Sequence, residues 1–159
     1  MDEITKTNLA TFLNPTIRIL KEMTGVEAIP RDVSVRKCMF PSSEIAVVIG
    51  ITGEWRGAFV ISASKDVAHS VASKLMGGLD TSQLGNYDIA EAIAEYGNIV
   101  AGNAMISLEQ NGDDVNISPP TIIIGQGEEL RIGGFTEMLI AVLDSELGEI
   151  AVSLTMVKV

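Results

Sequence analysis

The chain has 159 residues, 47% hydrophobic and 20% charged, which suits a real apolar core and excludes disorder. Its formal charge of -10 weighs against unassisted binding to a nucleic-acid backbone and suits partners with a basic patch. Cys38 is the one cysteine, so an intramolecular disulfide is excluded and a reducing compartment fits; the residue reads as a small half-buried apolar group before it reads as a reactive thiol.

The first residues carry Asp2, Glu3 and Lys6 without an apolar run, unlike a signal peptide. No window is apolar for long enough to cross a bilayer, so the expectation is a soluble, cytoplasmic chain without nucleic acid or membrane as partner. Leu9, Phe12, Leu13, Ile17 and Leu20 recur at helical spacing and predict a helix over 7–23, with Pro15 in its first turns or at a kink and Thr24-Gly25 as its stop. Pro30 and Pro41 bracket a short strand over 33–40. Residues 44–51 and 55–63 read as two strands of a hairpin joined by Thr52-Gly53-Glu54. Residues 65–76 are helical, with Val67, Val71 and Leu75 on one side and Gly77-Gly78 as terminator.

Asp88 is placed to cap a third helix that ends near Asn111-Gly112. Pro119-Pro120 precedes a β-branched run over 121–125, and 137–144 with 149–158 form a closing pair of strands. Helices thus alternate with hairpins. The predicted class is α+β: a mostly antiparallel β-sheet packed with an N-terminal helix and two further helices, 1–159 forming a single domain. The last strand, rich in Val and Ile, is expected at an edge open to another chain. No linker, low-complexity tract or internal repeat is evident.

Common catalytic constellations are absent: no Walker-type phosphate loop, HExxH, CxxC or GxSxG. Gly50-Ile51-Thr52-Gly53, Gly125-Gln126-Gly127 and Gly133-Gly134 read as turns. His69, with Asp66 one turn earlier, reads as a surface or capping residue, because no second histidine exists to make a metal site. Trp55 beside Arg56 is better explained by packing on the sheet than by a cation–π ligand platform. Met105, Met138 and Met156 read as core filler.

The third helix differs. At about 100° per residue, Glu91, Glu95, Asn98 and Gly102 fall within roughly 60° of arc, opposite Ile89, Ile93, Tyr96, Val100 and Ala104. A solvated face explains two acids one turn apart, although like charges at that spacing are mildly unfavourable. It does not explain Asn98, Gly97 and Gly102, since asparagine is a poor helix former and each glycine costs about 1 kcal/mol relative to alanine. Both a solvated face and a contact face remain open on these residues.

Glu95-Tyr96-Gly97-Asn98, then Ile99-Val100-Ala101-Gly102-Asn103, and later the run from Ile117 through Pro119-Pro120 to Gly125 resemble the CheX branch of the CheC/CheX/FliY phosphatases of bacterial chemotaxis. The likeness covers nearly the whole chain in length and element layout. The ExxN core alone is weak; with the Gly-Asn pair and the downstream proline it is far more specific. The family motif runs Asp or Ser, three residues, Glu, two residues, Asn, then a proline about twenty residues on. Glu95 and Asn98 match its Glu and Asn, and Pro119 or Pro120 lies one or two residues short of its proline. Glu91 departs, standing where Asp or Ser is usual, and has no role beyond local charge. One ExxN motif is present, as in the CheX branch; Ser70 and Ser73 on the earlier helix would not supply a second.

The resemblance implies a phosphatase that hydrolyses the aspartyl phosphate of a CheY-type response regulator, in chemotaxis or a related two-component pathway. It implies that Asn98 orients the attacking water, that Glu95 docks the regulator through a basic group, and that Gly102 allows close approach. It implies no cofactor of the chain's own, Mg2+ in the partner's pocket, and a homodimer built by β-sheet pairing. The alternatives are a non-catalytic regulator-binding module and a dimeric interaction module.

Overall fold

The computed structural model describes residues 3–37, 43–129 and 131–159. Its elements run α1 (Glu3–Thr24), β1 (Ile29–Lys37), β2 (Ile45–Gly53), β3 (Trp55–Ala63), α2 (Lys65–Leu75), α3 (Asn86–Gln110), β4 (Val115–Ile117), β5 (Thr121–Ile124), β6 (Glu137–Ser145) and β7 (Gly148–Lys158). The strands form one sheet in the order β1-β6-β7-β3-β2-β4, with β5 also on β2, and every recorded pairing is antiparallel. This is the α+β class expected. None of the described helices is long and apolar enough to cross a membrane.

Alternation along the strands divides the sheet into two faces. Val47, Ile49 and Ile51 on β2, Phe59 and Ile61 on β3, Val152 and Leu154 on β7, and Leu139 and Ala141 on β6 share the face that α1, α2 and α3 cover. Ala46, Val60, Met138 and Ile140 point the other way and are packed by Ile132 and Phe135, from the stretch before β6. Phe135 carries the Arg56 guanidinium 5.5 Å above its ring, whereas Trp55 is buried under the Lys158 ammonium. Met105 and Met138 are buried and Met156 packs on the core, as filler.

Several expectations are corrected. The last strand is not an edge: β7 lies between β6 and β3, and the long free edge is β1. Strand order depends on non-local pairing, which a Val/Ile-rich composition does not encode. β1 begins at Ile29, with Pro30 inside it at a register shift, where a missing amide is tolerated; Cys38 and the rest of the 38–40 stretch lie outside the described residues. Gly50 to Gly53 is strand, not turn, because β2 continues to pair with β4 there. A Cβ on Gly50 would sit 3.0 Å from the Ser118 Oγ, and that hydroxyl accepts from the Gly50 N–H at 2.8 Å. Ser118 thus bridges the step between β4 and β5, where Pro119 and Pro120 break the ladder.

The strand order contains a repeat. Exchanging β1, β2 and β3 with β5, β6 and β7 reproduces the same order read backwards, about an axis between β3 and β7. α1 precedes the first set and α3 the second, so these two helices hold equivalent places on the sheet. α2 has no counterpart.

A candidate partner-docking face on the third helix

α3 is positioned by what its inner face touches. Ile89, Ile93, Tyr96, Val100, Ala101 and Ala104 are buried. Gly97 lies over the sheet, where a Cβ would rest 3.5 Å from Ile61, 3.6 Å from Ile49 and 3.7 Å from Val47. The buried Tyr96 hydroxyl donates to the Thr16 carbonyl of α1, and burial raises its phenol well above the ordinary range. The helix begins three residues earlier than expected: Gly85 is the N-cap, and Asp88, in the first turn, accepts the Gly85 N–H at 3.1 Å. Asp88 therefore serves as the acidic partner at N3, where it also complements the helix dipole. The end is as expected, with Asn111 at the C-cap and Gly112 at a φ of 93°.

The outer face carries the predicted stripe. Glu91 and Glu95 are exposed, and Asn98 and Gly102 are half-buried. A Cβ on Gly102 would meet nothing within 4 Å, so the ridge of side chains is interrupted there by open space. Glu91 lies beside Tyr87, one turn earlier, and its carboxylate raises the phenol of that residue. Among the described residues the side chains of Glu95 and Asn98 have no hydrogen-bond or ion-pair partner. Asn103 is the contrast: its Nδ2 donates to the Ile99 carbonyl at 3.0 Å, and its Oδ1 accepts from Arg18 of α1 at 3.2 Å. Sequence spacing found the stripe but not this difference, which depends on a contact between helices.

The other candidates do not join the stripe. The His69 Nδ1 pairs with the Thr81 hydroxyl at 3.1 Å, and the Ser73 hydroxyl donates to the Leu79 carbonyl. The described residues bring no three His, Cys, Asp or Glu side chains together as metal ligands.

The sequence profile described as "Chemotaxis phosphatase CheX" matches residues 45–151, two-thirds of the chain and all of α3. The chain belongs to the CheX family. It is similar to the "CheY-P phosphatase CheX" of Thermotoga maritima, 39% identical over 95 residues that span 60% of this chain and 59% of that relative. The match thus covers less than two-thirds of that CheX. Among solved structures, the CheX-CheY-BeF3-Mg+2 complex from Borrelia burgdorferi is matched at a TM-score of 0.74 with 26% identity, over 93% of this chain and 96% of the other. A CheC-like superfamily protein from Shewanella sp. PV-4 matches at 0.85 with 18% identity, over 99% of both chains, and shows the shared fold.

Proposed function

We propose that this CheX-family chain, as one domain over 1–159, is a phosphatase for the aspartyl phosphate of a CheY-type response regulator. The observation that carries the reading is the pair Glu95 and Asn98, without partners among the described residues on one face of a packed helix, with open space at Gly102 one turn on. The relatives support it: one is named a CheY-P phosphatase, and another was solved as a complex with CheY, BeF3 and Mg2+.

An acyl phosphate is already activated, so the missing element is a water held in line with the phosphorus. The Asn98 carboxamide both accepts and donates, so it fixes such a water relative to the phosphoryl oxygens. The water oxygen bonds to phosphorus as the acyl oxygen leaves as the regulator's aspartate. The amide is too weak a base to keep a proton, which stays with the inorganic phosphate. Glu95, one turn away, pairs with a basic group of the regulator and sets the approach of the helix. Mg2+ belongs to the regulator's own pocket, where it would neutralise the phosphoryl charge. Such positioning is worth several kcal/mol, in line with the roughly 7 to 11 available from orientation alone. The reading is tested by phosphate release from the phosphorylated regulator: wild type accelerates it and Asn98→Ala does not. An Asn98→Ala variant that keeps the full rate overturns the mechanism.

The same reading includes a homodimer, now through β1 and not β7. Val33 and Val35 are exposed on the free edge, on the sheet face that the helices cover elsewhere. The opposite edge is broken by Pro119 and Pro120, which obstruct pairing. Sedimentation at micromolar concentration is expected to show a dimer that Val33→Glu with Val35→Glu converts to monomer; a wild-type monomer removes this part.

A further inference from the structure

α3 has two apolar side chains that join neither apolar cluster of the protein, and they flank, one on each side, the stripe that carries Glu95 and Asn98. Tyr87 is 60% exposed and Ile106 is 54% exposed, while every other apolar side chain of the helix is buried in the core or packed against it. Single exposed apolar residues are ordinary on a protein surface. Two that bracket one polar centre along one helix face are a different arrangement. Relative to Glu91, the helical angle places Tyr87 about 40° to one side and Ile106 about 60° to the other, so both look out with the stripe. They are about 28 Å apart along the axis, close to the diameter of a small domain.

Each end has its own local construction. Ile106 stands one turn beyond Gly102, where a Cβ would meet nothing, and Asn98 stands one turn before it. Asn98 and Ile106 are therefore the two walls of a notch whose floor is bare backbone. At the other end Tyr87 stands one turn before Glu91, whose carboxylate raises its phenol. An aromatic ring and a branched aliphatic around a charged and amide centre form the pattern of interface anchors, in which a few apolar groups supply affinity and the polar groups supply register.

We infer that Tyr87 and Ile106 are the apolar anchors of the regulator dock, so that the footprint covers the outer face of α3 from end to end. The inference rests on the phosphatase reading for the identity of the occupant, a phosphorylated receiver domain. That domain presents an apolar side chain to the notch between Asn98 and Ile106, and a second apolar contact to Tyr87. Neither anchor touches the reacting atoms. They fix how long and in which orientation the regulator is held, and with it which regulator is accepted.

The experiment measures steady-state phosphate release and, separately, equilibrium binding to the regulator activated with BeF3 and Mg2+. Ile106→Ser and Tyr87→Ser are each expected to raise KM and weaken binding about tenfold with kcat unchanged. Val157→Ser, an exposed apolar residue on β7, serves as control and changes neither. Unchanged binding and KM in both anchor variants overturn the inference. In that case loss of phosphate release in Asn98→Ala still upholds the phosphatase reading. Conversely, if Asn98→Ala releases phosphate at the full rate, that reading fails, while the binding measurement still decides whether the anchors hold a receiver domain.

Discussion

α1 and α3 hold equivalent places in the two halves of the sheet but use their polar side chains differently. On α1, Thr11, Thr16 and Thr24 donate their hydroxyls to carbonyls one turn earlier. Arg18 is shared between Glu22 and Asn103, and Lys21 pairs with Glu27 at 2.7 Å. On α3, Asn103 is committed to Arg18 and Ile99, while Glu95 and Asn98 have no partner among the described residues. Residue type does not decide which side chains are committed, since two asparagines five residues apart on one helix differ. What separates them is the contact with Arg18 of α1, which reaches Asn103 and not Asn98.

If that difference is functional, replacing the side chains of Glu95 or Asn98 changes partner chemistry without costing stability, while removing a committed side-chain contact costs stability without changing partner chemistry. The largest effect is expected for Glu95→Lys, which reverses the docking charge. Apparent affinity for the regulator falls about 100-fold, consistent with about 2–5 kcal/mol for breaking a charge pair at an interface. The denaturation midpoint stays put, because Glu95 has no partner among the described residues to lose. Titration of the regulator and urea unfolding check the two halves, and a shifted midpoint with unchanged affinity breaks the comparison.

Tyr96→Phe probes the committed face. Losing the buried hydrogen bond to Thr16 costs about 1–2 kcal/mol of stability, read from urea unfolding. The cost depends on pH with a definite sign. Burial raises the folded-state phenol above its ordinary value of 10.0, so its stabilisation is complete below that value and is lost as pH rises through the folded value. The lead of wild type over Tyr96→Phe is therefore expected to shrink above pH 10, and a gap that stays constant there contradicts the burial argument.

The two glycines give the smallest effects and the sharpest contrast. Gly102→Ala gains about 1 kcal/mol from helix propensity, because the added methyl meets nothing, yet it weakens regulator binding by filling the notch. Gly97→Ala gains at least as much, since its methyl makes ordinary van der Waals contact with Ile61, Ile49 and Val47, and it leaves binding unchanged. Thermal unfolding beside regulator titration separates the pair; equal effects on binding would remove the distinction between the faces.

The sequence made the local features legible. The strand over 55–63 matches β3 residue for residue, and the α3 stripe followed from 3.6-residue spacing alone. β4 is not legible because its three residues are too few for a period to stand out, although Val115, Asn116 and Ile117 do alternate. The cap at Gly85 is hidden in the sequence because glycine gives no side-chain signal, so Asp88, one turn later, stands out in its place. The internal two-fold and the interior position of β7 depend on which strands pair, and Asn103 is tied up by a residue 85 positions away. Periodicity cannot report contacts of that range. The ExxN pair was legible as residues; its freedom was not.

The most direct test compares Asn98→Ala with Asn103→Ala in single-turnover release of phosphate from a saturating phosphorylated regulator, with unfolding measured on the same samples. Asn98→Ala is expected to lose about 100-fold in rate at unchanged stability, the scale of loss that follows a misplaced reacting group. Asn103→Ala is expected to keep its rate. A full rate in Asn98→Ala, or an equal loss in both, contradicts the assignment of the water-orienting amide to Asn98.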